Sequence, residues 1–158
     1  MDHNGPKYDY LDDNRRSGWH RHEARFAKLL NPAVQYYSAF ITRPDSAPWI
    51  NTADFASLFA LLLRGKRCTV ISEPGNSILL VSLMAAEFTR HVPCPREQAY
   101  LVIDDLFNAA IARKTDIVLI SCGPTATCLA HRLAVRGVHS VDIGSAGGFL
   151  HKLMRTAR

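Results

Sequence analysis

Four times after Lys66 the chain passes from a short run of β-branched and apolar residues, through a turn rich in glycine, proline or asparagine, into a stretch with helical spacing. The runs are Arg67 to Ser72 (RCTVIS), Thr89 to Pro93, Asp116 to Ser121 (DIVLIS) and His139 to Ile143 (HSVDI). Arg67 to Ser72 is short and β-branched, as expected of a buried parallel strand, and Asp116 to Ser121 is the clearest strand of the four. Parallel neighbours need crossover connections, and the intervening stretches are long enough to be helices. The expected fold class is therefore α/β, a Rossmann-like three-layer domain with a mostly parallel sheet.

The helices have their own signals. Thr52 is a good N-cap with Asp54 in the first turn, and Phe55, Leu58, Phe59 and Leu62 recur at three-and-four spacing up to Gly65. Ser77 to Phe88 is read as the next helix, after the turn Glu73-Pro74-Gly75-Asn76. Arg96 to Arg113 is read as one long amphipathic helix carrying Ala99, Val102, Ile103, Leu106 and Ala110. Pro124 to Arg136 has proline near its start and Gly137 just past its end, the asymmetry helices prefer. Gly144 to Gly148 is read as a loop before a short terminal helix. Upstream, Trp19 to Leu30 has helical spacing and stops at Asn31-Pro32, and Val34 to Trp49 reads as an extended piece entering a loop.

At 158 residues and 47% apolar content the chain fits one domain of ordinary size, with no room for a second full domain. Residues 1–18 are expected to be a flexible arm, and residues 19–158 a single domain. The longest apolar stretch, Ile78 to Ala86, is about half of what a bilayer requires, and the N-terminus lacks the apolar segment of a secretory signal. The expectation is a cytoplasmic protein without a membrane span. Cys68, Cys94, Cys122 and Cys128 form no C-x-x-C pair and are read as reduced, mostly buried thiols. The formal charge of +5 comes from basic residues spread along the chain and its ends, so solvated termini account for it better than a nucleic-acid surface.

In open parallel sheets ligands bind beyond the carboxyl ends of the strands, which directs attention to the loops after Ser72, Ser121 and Ile143. The loop from Ser121 through Cys122 to Thr127 has the parts of an anion site. Gly123 permits close backbone approach, the free N–H groups of the helical turn that Pro124, Thr125 and Ala126 open point outward, and Ser121, Thr125 and Thr127 carry hydroxyls. Asp142, about twenty residues on, ends the next strand, where nucleotide-binding units place an acid on a ribose hydroxyl; it could equally cap the Gly144 turn. Neither a Walker loop nor a G-x-G-x-x-G fingerprint occurs, and a phosphatase-like cysteine loop would need arginine where Cys128 stands. Cys122 sits where a thiolate could be stabilised with help from His131 or Asp142, but a buried structural cysteine is the better reading.

From Ile117 to Phe149 the chain reads IVLISCGPTATCLAHRLAVRGVHSVDIGSAGGF. Its G-P-T-A turn and D-I-G strand end resemble the C-terminal signature of the GT-D glycosyltransferases. VISEPGNSILL, HVPCP with Ala99-Tyr100, and Ile103-Asp104-Asp105 resemble that family too, so the likeness runs roughly from Phe40 to Leu150. It implies transfer of a sugar from a nucleotide-sugar donor to an acceptor, with a divalent cation, Mn2+ or Mg2+, bridging the diphosphate. Gly123, Pro124, Thr125 and Ala126 would lie against the nucleotide, with Asp142, Gly144 and Ser145 at the neighbouring strand end.

Two departures stand beside that likeness. The family carries an acidic D-x-E motif for its metal, because a cation on a diphosphate needs carboxylate oxygens. This chain has no D-x-E; Asp45, Asp54 and Glu73 are the acids nearest to site loops, and Glu73, at a strand end, is the best placed to serve in catalysis with Asp142. Family members often carry histidine after D-I-G, where Ser145 stands here. A glycosyltransferase is thus the first expectation, a non-catalytic nucleotide-binding module of the same fold the second, and a basic interaction protein the third.

Overall fold

The computed structural model describes residues 52–156, with Lys28 and Ala33. The chain divides into two units, Met1–Ser38 and Ala39–Arg158, and the described helices and strands all belong to the second. The readings of residues 1–18, of Trp19 to Leu30 and of Val34 to Trp49 lie outside the described residues.

In chain order the elements are α1 (Thr52–Leu63), β1 (Arg67–Ser72), α2 (Ser77–Ala85), β2 (Phe88–Pro93), a 3-10 turn (Ala99–Val102), α3 (Ile103–Ile111), β3 (Ile117–Ser121), α4 (Thr125–Val135), β4 (Ser140–Asp142) and α5 (Ala146–Thr156). The four strands form one sheet in the order β2-β1-β3-β4, every neighbouring pair parallel. β1 and β3 are central and almost wholly buried, whereas β2 and β4 are edges with half-exposed residues. Of the four strand-like runs, RCTVIS and DIVLIS are thus the two that become central strands.

Two separate cores cover the sheet. On one face Cys68, Val70, Ile117, Leu119 and Ile143 pack against Ala56, Phe59, Leu63, Ile78, Val81, Ala146 and Leu150 of α1, α2 and α5. On the other, Ile71, Val92, Val118, Ile120 and Cys122 pack against Ala99, Ile103, Leu106, Ala110, Ala126, Leu129 and Leu133. Alternate residues of one strand feed opposite cores, as the period of two requires. Three layers result, the doubly wound α/β arrangement expected.

The edges of the elements depart from the expectations in instructive ways. α2 ends at Ala85 rather than Phe88, because Ala86 turns to extended backbone and Lys66 O takes the amides of Glu87 and Phe88, leading Phe88 into β2. The stretch from Arg96 is not one helix: Gln98 is left-handed (φ 53°), a 3-10 turn follows, and α3 proper spans only Ile103–Ile111. In α1 the buried stripe is Ala56, Phe59 and Leu63, while Leu58 and Leu62 are exposed. The glycine-rich run after β4 is not a loop to Gly148, for α5 opens at Ala146.

That last difference has a packing cause. A Cβ on Gly147 would lie 2.5 Å from the backbone nitrogen of Ile78 and 2.9 Å from its Cα, so α5 crosses the start of α2 at a distance only glycine allows. Beside Gly148 there is nothing within 4 Å. Gly147→Ala should therefore destabilise by about 1–3 kcal/mol through overpacking, whereas Gly148→Ala should be neutral or stabilise by roughly 0.5–1 kcal/mol through helix propensity. Urea midpoints of the two variants against the parent chain check this.

At the opposite edge of the sheet, Asp116 fixes the start of the β1–β3 pair. Its carboxylate accepts the Arg67 backbone amide at 2.8 Å and the guanidinium Nε and Nη2 at 3.1 and 2.8 Å, and its own amide returns to Arg67 O at 2.8 Å. The Arg67 guanidinium and amide hold the Asp116 carboxyl well below its ordinary value of 3.8. A depressed carboxyl contributes stability above its unfolded pKa and loses it as pH falls toward the folded one. Asp116→Asn should lower Tm at pH 7, and the gap to the parent should narrow progressively below pH 3.8, as melting curves across that range will read.

Candidate functional site

The strand order decides where a ligand can lodge. β1 is connected onward to β2 on one side and β3 to β4 on the other, so the chain switches direction between β1 and β3. At such a switch the loops beyond the two strands part and leave a crevice at their carboxyl ends. Ser72 and Ser121 stand opposite each other at that edge.

Asn76, Ser121, Gly144, Asp142 and Thr127 form one hydrogen-bonded chain across three loops. The Asn76 carboxamide caps α2 by accepting the Ile78 amide (3.0 Å), while its Nδ2 donates to Ser121 Oγ (3.2 Å). Ser121 Oγ in turn donates to the Gly144 carbonyl at 2.7 Å. The Gly144 amide donates to Asp142 Oδ1 at 3.0 Å, and Thr127 Oγ1 donates to Asp142 Oδ2 at 2.8 Å. The Ser121 and Thr127 hydroxyl protons, expected to face a ligand, are thus directed at the protein. Asp142 does cap the Gly144 turn, and both of its carboxylate oxygens accept bonds at a half-buried position.

The Gly123 turn is left-handed (φ 55°) and exposed, and no side chain caps the first turn of α4, where Pro124 holds the cap position. Thr125 and Ala126 are buried, so they face the core with their side chains and can offer a ligand only backbone. The Ala126 amide closes on Gly123 O at 3.0 Å. Gly144 is left-handed as well (φ 52°), and Ser145 beside it is exposed.

Glu73 joins this chain of bonds only through its carbonyl, which accepts the Asn76 amide at 3.2 Å. It follows β1, half-buried, with its carboxylate 3.9 Å from Arg96 of the next loop. Among the described residues no three His, Cys, Asp or Glu side chains gather where a metal ion could bind. The described part of the rim therefore does not by itself fit a divalent cation. An open hollow of about 340 Å3 is lined by Gly148, His151, Lys152 and Arg155 of α5, and its lining includes neither Asp142 nor the Gly123 turn.

Two participants in the site region were not singled out by sequence. Asn76 carried a signal, an N-cap residue before an apolar run, but its bond to Ser121 spans 45 positions. His91 places Nε2 3.2 Å from Ser72 Oγ and 3.1 Å from Ser72 O, a meeting that only the β1–β2 register creates.

The cysteines follow the expectation of reduced, mostly buried thiols, with Cys128 the exposed one. Burial pushes the Cys68 thiol up to about 11, and burial together with the neighbouring Cys94 pushes Cys122 up as well. Neither is a poised nucleophile, and His131 is exposed on α4 rather than beside Cys122. Iodoacetamide at pH 8 should modify Cys128 of the reduced, folded chain quickly and the three buried thiols far more slowly, with rapid reaction of all four on unfolding, as a mass-resolved time course will show.

This parallel four-stranded fold has counterparts among known proteins. The chain belongs to the GT-D family: the model described as "Glycosyltransferase GT-D fold" matches residues 8–147. Among solved structures it is similar to one described as a highly conserved domain of unknown function 1792 with a distinct glycosyltransferase fold. That match has a TM-score of 0.67 and 22% identity, covering 92% of this chain and 55% of that one. A second, described as a new glycosyltransferase of the same domain type from Streptococcus sanguinis, has a TM-score of 0.73 and 19% identity over 95% of this chain and 56% of that one. Such identities carry the fold, and this chain spans just over half the length of those structures. No curated protein matches it. It is a glycosyltransferase-like domain, and no helix among its described residues is long and apolar enough to cross a membrane.

Proposed function

We propose that the chain binds a nucleotide-sugar donor along the carboxyl edge of β1, β3 and β4 and passes the sugar to an acceptor. The observation that carries this reading is Asp142, half-buried at a strand end with its carboxylate held by Thr127 and Gly144. A carboxylate oriented in this way can accept the hydroxyls of a ribose. The uncapped start of α4 and the left-handed Gly123 support a phosphate beside it, where the helix dipole contributes roughly 0.3–1 kcal/mol. Thr125 and Ala126 would contribute backbone, Ser121 and Thr127 would brace the rim, and Gly144 with Ser145 would border the ribose. Glu73, at the neighbouring β1 end, is the carboxylate nearest to the crevice that could assist transfer.

A second reading, a module that holds the nucleotide without turnover, is favoured by one specific observation. The chain has no D-x-E, and the described rim gathers no cluster of metal-ligating side chains. A cation, Mn2+ or Mg2+, would then arrive with the nucleotide rather than in a ready-made cage.

Thermal melting with uridine, guanosine, adenosine and cytidine diphosphates, each with and without manganese, tests both readings. A ligand that binds only the folded chain raises Tm by mass action. At least one nucleotide should do so, and Asp142→Asn should weaken its apparent affinity roughly tenfold, the loss of about 1.4 kcal/mol. No shift with any of them would overturn donor binding. Where a shift is seen, release of free sugar from the matching nucleotide sugar separates transfer chemistry from binding alone.

A further inference from the structure

Cys94 follows β2 and Cys122 follows β3, so they leave the sheet on opposite flanks of β1. β1 ends first: Ser72 O accepts the Cys94 amide at 2.9 Å, and the chain then turns away through Glu73. In the space beyond its last residue the two flanking segments converge. The Cys122 thiol donates to Cys94 Sγ at 2.6 Å, across 28 positions of sequence. Both side chains are buried, in the same core as Ile71, Val92, Ile120 and Ala126. A disulfide bond is about 2.05 Å long, so the sulfurs need close by only about half an ångström.

We propose that Cys94 and Cys122 are a reversible disulfide site, oxidised by a small-molecule disulfide, which ties the end of β2 to the start of the Gly123–Pro124 turn. Burial pushes the Cys94 thiol up, but the hydrogen bond it receives from Cys122 offsets part of that, whereas the same contact pushes Cys122 further up, so Cys94 attacks first. Its sulfur bonds to one sulfur of the oxidant and expels the other as a thiolate, leaving a mixed disulfide. Cys122, having lost its proton to solvent, then attacks Cys94 Sγ and expels the second small thiolate. Two protein thiols are oxidised, one small disulfide is reduced to two thiols, and no other reactant is needed.

Access to the pair runs through the segment after Cys94, where Pro95, Arg96, Glu97 and Gln98 are exposed and Gln98 is left-handed. That segment must part before the oxidant can reach Cys94, so the reaction is slow and selective. Once made, the bond joins positions already in contact and constrains mainly the unfolded chain. The site stands on the thiol geometry alone and does not depend on donor binding.

The test uses the full chain. It is reduced, incubated with oxidised glutathione well beyond the point at which exposed Cys128 carries glutathione and until the products no longer change, then unfolded, alkylated and digested for peptide mapping. A Cys94–Cys122 linked peptide is expected, reversed by dithiothreitol, together with a higher Tm for the oxidised chain. Cys122→Ser should trap glutathione on Cys94 in place of the internal link. Full alkylation of both Cys94 and Cys122 in a chain whose Cys128 has reacted would overturn the proposal. Links to Cys68 or Cys128 in comparable yield would do the same. Should the serine variant fail to fold, the map of the parent chain still decides.

Discussion

The parallel pairing of Arg67–Ser72 with Ile117–Ser121 holds the whole domain in register. Both strands are buried on each face, so each backbone amide and carbonyl must find its partner in a neighbouring strand. One-residue slippage would turn every side chain into the wrong core. At the amino edge the pairing is locked by Arg67 and Asp116, whose bonds join side chain to side chain and backbone to backbone. At the carboxyl edge it brings Ser72 and Ser121 level, and the loops beyond them inherit that alignment.

From that alignment comes the character of the candidate site. Asn76 reaches Ser121, Ser121 reaches Gly144, and Asp142 gathers Gly144 and Thr127, so three connections that are distant in sequence behave as one rim. The hydroxyls in it serve as braces, which leaves backbone and the Asp142 carboxylate as the groups to meet a ligand. In the proposed donor complex this rim at the topological switch would meet the phosphates and ribose hydroxyls of the nucleotide. Pre-set loops lower the ordering cost of holding it.

Much of this was legible in the chain's local patterns. RCTVIS and DIVLIS read as strands because a buried parallel strand has no polar face to interrupt its apolar run, and α4 was readable from Pro124 and Gly137 at its ends. The family likeness was legible from G-P-T-A and D-I-G, and it holds. Less legible were the places where backbone capture by a neighbour outweighs propensity. Glu87 and Phe88 look helical alone, yet Lys66 O takes their amides and draws them toward β2. Leu58 and Leu62 match helical spacing as well as Phe59 does, and only the position of the sheet selects which stripe is covered.

Local chemistry along the chain set the alternation of strands and helices, the glycines at left-handed turns and most of the residues bound for the core. Those depend on side-chain volume, branching and backbone freedom, which act within a few residues. The strand order, and with it the topological switch between β1 and β3, was settled only when the elements assembled. So was the use of Gly147 for close helix packing, the turning of Ser121 and Thr127 into braces, and the meeting of Cys94 with Cys122. Each of these is a contact between groups far apart along the chain, and such a contact exists only once the register of the sheet has set the distance between them.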